Sequence, residues 1–177
     1  GYTPYVSAKL AEVKEAIKSR FEKAEAPHKI FLTHMFVEGQ EVPPNVPDYQ
    51  IAAFDAIKDL GANLIIAGHY HKHMPIMEKE GILLLTPGAT EAIDLSDEGP
   101  FGVCILDLEM QVKCGFIPLK PLHRIKNVKV DSEGATETPK WFIDNAVEAA
   151  KRFAEELKGE GVEGILRLSL QGIIDGS

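Results

Sequence analysis

The chain has 177 residues, 45% hydrophobic and 26% charged, an ordinary globular composition for one domain or one domain with an appended lobe. No apolar run approaches the roughly 20 residues that span a bilayer, and 15 Gly with 11 Pro are too scattered for a low-complexity chain. The excess of 27 acidic over 19 basic residues gives a formal charge of -8, which argues against nucleic-acid binding through overall charge.

Leu10, Val13, Ile17 and Phe21 recur at helical spacing among charged residues, predicting an amphipathic helix over about 7–25. The run Ile30-Phe31-Leu32 reads as a buried strand ending at Thr33-His34. A Pro-rich loop over 35–47 follows, long enough to suggest a function. Asp48 is placed to cap a second helix with Ile51, Phe54, Ile57 and Leu60 on its apolar face, and Gly61 to end it. Leu64-Ile65-Ile66-Ala67 is a continuous apolar run, as expected of a strand covered on both faces. Residues 29–67 therefore read as a right-handed βαβ unit with parallel strands.

Short strands near 75–79, 82–86, 101–108 and 112–119 follow without intervening helices, predicting antiparallel hairpins. Cys104 and Cys114 lie in two of them and read as reduced core thiols. Pro118 and Pro121 bracket a linker, so residues 1–120 and 121–177 form two domains. The second holds a strand near 124–130 and a helix opened by Thr138 as N-cap and Pro139 as N1. Its last strand turns Leu166, Leu168 and Leu170 inward. The fold class is thus α/β, becoming α+β at the end, with a small α/β lobe. Between Met110 and Val130 lie Lys113, Lys120, Arg124, Lys126 and Lys129 without a single Asp or Glu. This strip is either a solvated strand face or a set of phosphate contacts, to which His123 could add.

Parallel strands place the loops at their carboxyl ends along one edge, where open α/β sheets bind ligands. His34 ends the first strand, and Gly68-His69-Tyr70-His71 ends the second. On an extended chain His69 and His71 face one side and Tyr70 the other, while Gly68 permits a close turn before them. Three imidazoles at one ligand edge suit Zn, Fe or Mn. The alternative is three ordinary surface histidines. His73 continues the alternation, but Pro75 redirects the chain, so its place is beside the pocket or in solvent.

These segments resemble the calcineurin-like metallophosphoesterases, and within them the SbcD-type DNA repair exonucleases. The matching residues are Leu32-Thr33-His34, Gly68-His69-Tyr70-His71-Lys72 and Pro87-Gly88-Ala89-Thr90-Glu91-Ala92-Ile93-Asp94, followed by Gly99-Pro100-Phe101-Gly102. Ala89 stands where that branch commonly has Ser. The resemblance implies the C-terminal half of an αββα sandwich followed by a capping lobe. It makes His34, His69 and His71 ligands of a two-metal centre, typically manganese, with Gly68, Tyr70 and His73 behind them. Lys120, His123, Arg124 and Lys126 become DNA contacts, and an SbcC-like ATPase the partner, in the cytoplasm. The reaction would be exonuclease or endonuclease cleavage of phosphodiesters by a metal-bound hydroxide.

The family's Asp-x-His, Gly-Asp and Asn-His elements have no counterpart in the 33 residues before His34, which contain no Asp. Two divalent cations 4 Å apart repel by roughly 16 kcal/mol at an effective dielectric near 20, and neutral imidazoles do not offset that. The chain, starting at Gly1-Tyr2-Thr3 without an initiator Met, therefore reads as the C-terminal part of a longer nuclease. By itself it would be inactive, and either a homodimer or associated with its other half. Two other readings stay open: a metallophosphoesterase acting on small phosphodiesters or phosphomonoesters, and a non-enzymatic module holding one structural zinc.

Overall fold

Three apolar runs build the centre of the first half. In a computed structural model that describes residues 5–97 and 99–175, they become β1 (Ile30–Thr33), β4 (Leu64–Ala67) and β6 (Ile82–Thr86). β4 lies between the other two and parallel to both, with Thr33 opposite Ala67 and Ile65 opposite Leu84. β5 (Met74–Lys79) closes the sheet antiparallel to β6, giving the order β1-β4-β6-β5. One sheet face, carrying Phe31, Ile65 and Leu84, packs on Leu10 of helix α1 (Tyr5–Lys23) and on Phe54, Ile57 and Leu60. Each such buried side chain is worth about 1.5–3 kcal/mol. Helix α1 thus lies within the expected 7–25, although Val13 on its predicted apolar face is 48% exposed.

The expected helix from Asp48 is replaced by four short pieces. Asp48–Gln50 is a 3-10 turn, β3 (Ile51–Ala52) pairs in parallel with β2 (Phe36–Val37), α2 (Phe54–Ile57) is a single turn, and Lys58–Leu60 is again 3-10. The apolar residues 51, 54, 57 and 60 repeat every third position, the period of a 3-10 helix and not of an α-helix. Asp48 caps nothing; Glu38 Oε2 accepts from the Phe54 N–H at 2.8 Å and does the capping from within the supposed loop. Gly61 ends the segment as expected, with φ of 87°. The expected burial of β1 also fails at Leu32, 73% exposed, because β1 is an edge strand whose second face is uncovered there.

β7 (Gly102–Asp107) and β8 (Lys113–Pro118) form the expected antiparallel hairpin. Cys104 and Cys114 are free and half-buried in it. Burial, with Cys114 as a neighbour, pushes the Cys104 thiol up to about 11.

The chain divides into two compact units, Gly1–Thr90 with Pro100–Leu119 and Glu91–Gly99 with Lys120–Ser177. The segment 91–99 groups with the second unit. Glu91 holds it there, accepting from the Leu122 N–H at 2.6 Å, and Asn127 Nδ2 donates to Leu95 O at 2.8 Å.

The second unit is a βαβ element: β9 (His123–Glu137), α3 (Pro139–Glu156) and β10 (Glu163–Ile174), with the two strands parallel. β9 runs well past the expected 130. Phe142 and Phe153 of α3 are buried on this ribbon with Val130. Opposite residues 132–135, which bulge out of β9, stands Gly172 at φ of +144°, where a Cβ would lie 2.1 Å from Ser132 Oγ. The inward leucines of β10 are the correction here: Leu168 is 37% and Leu170 57% exposed. One helix over two strands does not cover the whole face. Among the described residues no helix is long and apolar enough to cross a membrane.

Two outcomes follow. Thr138 Oγ1 accepts from the Trp141 N–H at 3.1 Å, so Thr138→Ala should lower stability by about 1 kcal/mol in urea unfolding. The backbone N–H groups of Leu122 and Ala92 hold the Glu91 carboxyl below its ordinary 4.5. A depressed folded value means that this contribution is present above 4.5 and lost as the pH falls through the folded value. Urea titrations from neutral pH through the carboxylate range should show Glu91→Gln less acid-sensitive than the parent.

Candidate functional site

His34 leaves β1 one residue after Thr33, and Gly68-His69 leaves β4 directly after Ala67, so the parallel register brings the two exits together. The Gly68 N–H donates to Thr33 O at 2.9 Å, extending the ladder by one bond. His69 Nδ1 then lies 2.9 Å from His34 Nε2, with the rings edge-to-face at 4.7 Å between centroids. Beneath them sits buried Phe36, whose ring meets His69 at 4.4 Å and Tyr70 at 6.2 Å. The loop after β1 thus supplies the floor of the site.

Partial burial first, and the neighbouring His34 and His71 second, hold the His69 imidazole below its ordinary pKa. It therefore favours the neutral form, the form of imidazole that ligates a cation. Two nitrogens at about 2.1 Å from one ion and at right angles to it stand about 3.0 Å apart. The His34–His69 spacing fits two adjacent ligands of a cation as well as it fits a hydrogen bond.

The third imidazole is where the structure departs from the expectation. The chain bends at His69 and again at His71-Lys72, so the two-residue alternation of an extended strand does not apply. His71 is near enough to His69 to lower its pKa. Yet among the described residues no three His, Cys, Asp or Glu side chains form a group that could hold a metal ion. The residues present fit part of a metal site and do not complete one. Tyr70, expected to face away from His69, shares Phe36 with it. Lys72 pairs with Glu41 at 2.8 Å across the mouth of the Pro-rich loop.

His73 turns to the hairpin. Its ring stacks on Phe116 at 4.1 Å and 14°, and its Nδ1 lies 3.6 Å from Cys104 Sγ. It is a packing residue, and the expected support of the histidine site by His73 is not what the geometry gives.

Gly88 is the contributor that the histidine pattern missed. The Ala89 N–H donates to His71 O at 2.8 Å, and a Cβ on Gly88 would lie 2.7 Å from the His73 nitrogen, at φ of +78°. The Pro87-Gly88 turn therefore lies directly on the backbone of 71–73 and fixes the path of the histidine segment. The Pro-Gly dipeptide marked a turn, but nothing local said what the turn touches.

The basic strip is compensated from a distance. Arg124 Nη1 is 2.5 Å from Glu160, Lys126 Nζ 2.6 Å from Glu156, and His123 Nε2 3.4 Å from Glu163. Lys120 donates to the Glu160 carbonyl and Lys129 pairs with Asp131 at 2.5 Å. The stretch 110–130 lacks acids, but α3 and the turn after it bring them back. As a whole it is not an uncompensated positive face.

Comparison with protein-family models and with curated protein sequences gives no match for the chain.

The close approach at Gly88 gives a direct test. Gly88→Ala combines a left-handed backbone with a main-chain clash and should cost about 2–4 kcal/mol. Urea denaturation would measure it, with the His73 ring resonances shifting as its stack on Phe116 loosens. Unchanged stability would mean that the turn does not rest on the histidine segment.

Proposed function

We propose that this chain carries part of the metal centre of a phosphoester hydrolase, in the manner of the SbcD-type nucleases that its motifs resemble. The observation that carries the reading is the His34–His69 pair, brought together at 2.9 Å from the carboxyl ends of two neighbouring parallel strands. Two solvent-accessible imidazoles that meet at a ligand edge are metal-binding chemistry. In such a hydrolase the cation, manganese by the resemblance, activates water and stabilises charge on the phosphoryl oxygens.

What this chain's residues do is bind and orient. His34 and His69 present two nitrogens to one ion, Phe36 holds the His69 ring in place, and Gly88 sets the backbone that carries His71. The remaining ligands, including a carboxylate to offset cation repulsion, and the acid/base group would come from residues outside this sequence. The exposed Leu32 on edge strand β1 supports that reading, since a further element laid there would cover it. DNA is the substrate implied by the resemblance. Pairing of Arg124 and Lys126 with Glu156 and Glu160 favours a second reading, hydrolysis of small phosphodiesters, which needs no positive groove.

Mn(II) titration followed by electron paramagnetic resonance tests the site on the chain as it is. His34→Ala and His69→Ala should each weaken binding at least about tenfold, because a lost inner ligand forfeits at least about 1.4 kcal/mol. His73→Ala should leave binding unchanged. Retained affinity in both of the first two variants would remove the reading.

A further inference from the structure

The β7-β8 hairpin of the first unit has two unlike faces. Val103, Ile105 and Ile117 are exposed on one, while Cys104, Leu106, Cys114 and Phe116 turn to the other and are half-buried. On that inner face Cys104 stands opposite Phe116 and Cys114 opposite Leu106, so the two cysteines are diagonal neighbours. Their thiols hydrogen-bond one another. Cys104 Sγ also lies 3.9 Å from Pro87 O and 3.6 Å from His73 Nδ1, whose ring is fixed by its stack on Phe116. No step of the proposed hydrolysis uses these two sulfurs.

Spacing decides what a pair of thiols in this position can do. Diagonal neighbours have Cα atoms about 7–8 Å apart, whereas a disulfide needs about 4.4–6.8 Å and a sulfur–sulfur bond of about 2.05 Å. Closing that bond would draw the two strands together. A cation lengthens the bridge instead. Two sulfurs each about 2.3 Å from one ion stand about 3.8 Å apart at a tetrahedral angle and about 4.6 Å apart in line. Sulfurs in hydrogen-bond contact are already close to the shorter of these separations.

The donor set then selects the ion. Thiolates take soft cations such as Cu(I), whereas Mn(II) favours oxygen ligands. A tetrahedral zinc site requires four ligands, and among the described residues no group of three His, Cys, Asp or Glu could hold a metal. Two thiolates are enough for a monovalent soft ion. His73 Nδ1 is placed to donate a hydrogen bond to the Cys104 sulfur, which offsets the charge left when two thiolates meet one monovalent cation.

We infer that Cys104 and Cys114 form a second cation site, which takes one soft monovalent ion of the Cu(I) type. Binding exchanges two thiol protons for two metal–sulfur bonds, with no electron transferred, so affinity rises with pH. The Cys104 thiol, pushed up to about 11 by burial first and by Cys114 second, stays protonated at neutral pH until a cation displaces the proton.

Anaerobic titration of the 177-residue chain with Cu(I), against a chromophoric Cu(I) chelator, tests this. About one equivalent should bind, with a thiolate-to-copper absorption band in the ultraviolet and sulfur neighbours in X-ray absorption. Cys104→Ser and Cys114→Ser should each weaken binding at least about tenfold and diminish the band, with far-UV circular dichroism unchanged. His34→Ala combined with His69→Ala, which removes the edge pair, should leave affinity and band as they are. A parent chain that leaves Cu(I) with the chelator, or whose bound copper has only nitrogen and oxygen neighbours, overturns the inference. So does Cu(I) affinity that survives either serine variant, or closure of the pair to a disulfide by oxidised glutathione with stability unchanged.

Discussion

The parallel register between β1 and β4 is the constraint on which the candidate site depends. Thr33 lies opposite Ala67, and the Gly68 N–H adds one more bond to Thr33 O, so the two chains leave the sheet side by side. A slip of one residue would send His34 to the other face of the sheet. The register is itself held by burial. Ile65 and Leu84 are wholly buried, and Phe31 packs with them on one face over α1 and α2. Chemistry at the edge therefore rests on aliphatic packing some distance below it.

Electrostatics in the second unit follows from the tertiary fold more than from local sequence. A basic stretch without acids suggests a surface that collects phosphate. Here α3 ends in Glu155-Glu156 and the turn after it carries Glu160, and the parallel crossover returns these beside Arg124 and Lys126. Lys126, first, and then Arg124 hold the Glu156 carboxyl below its usual range. Such exposed pairs contribute little to stability, but they change what the surface offers a ligand. A polyanion would have to displace these carboxylates before reaching the cations.

Much of this fold was legible because long apolar runs and strong caps are local signals. The β1 and β4 runs, the hairpins and the Thr138-Pro139 helix start lie where periodicity and capping place them. The failures have a common cause, namely partners distant in sequence. Glu38 caps α2 from within a loop, so Asp48 looked like the cap and a three-residue period passed for a helix. Phe36 sits in a Pro-rich segment whose composition says loop, yet it pairs as β2 and floors the histidines. For the site, the meeting of His34 and His69 could be read from strand order alone. The bend that governs His71 could not, because the Gly88 turn that fixes it comes from 17 residues downstream.

The two units also differ in how complete they are. In the first, a four-stranded sheet has one face closed by helices, with Leu32 exposed on its edge strand and Ile105, Met110 and Ile117 exposed in the β7-β8 hairpin. In the second, a single helix lies over two strands, and two-stranded ribbons have little stability of their own. Phe142 and Phe153 must supply most of its hydrophobic cohesion, while Leu168, Leu170, Ile143 and Val147 remain at the surface. One edge strand and the adjoining flank of α3 thus leave apolar side chains uncovered, because one helix over two strands can close only the middle of their shared face.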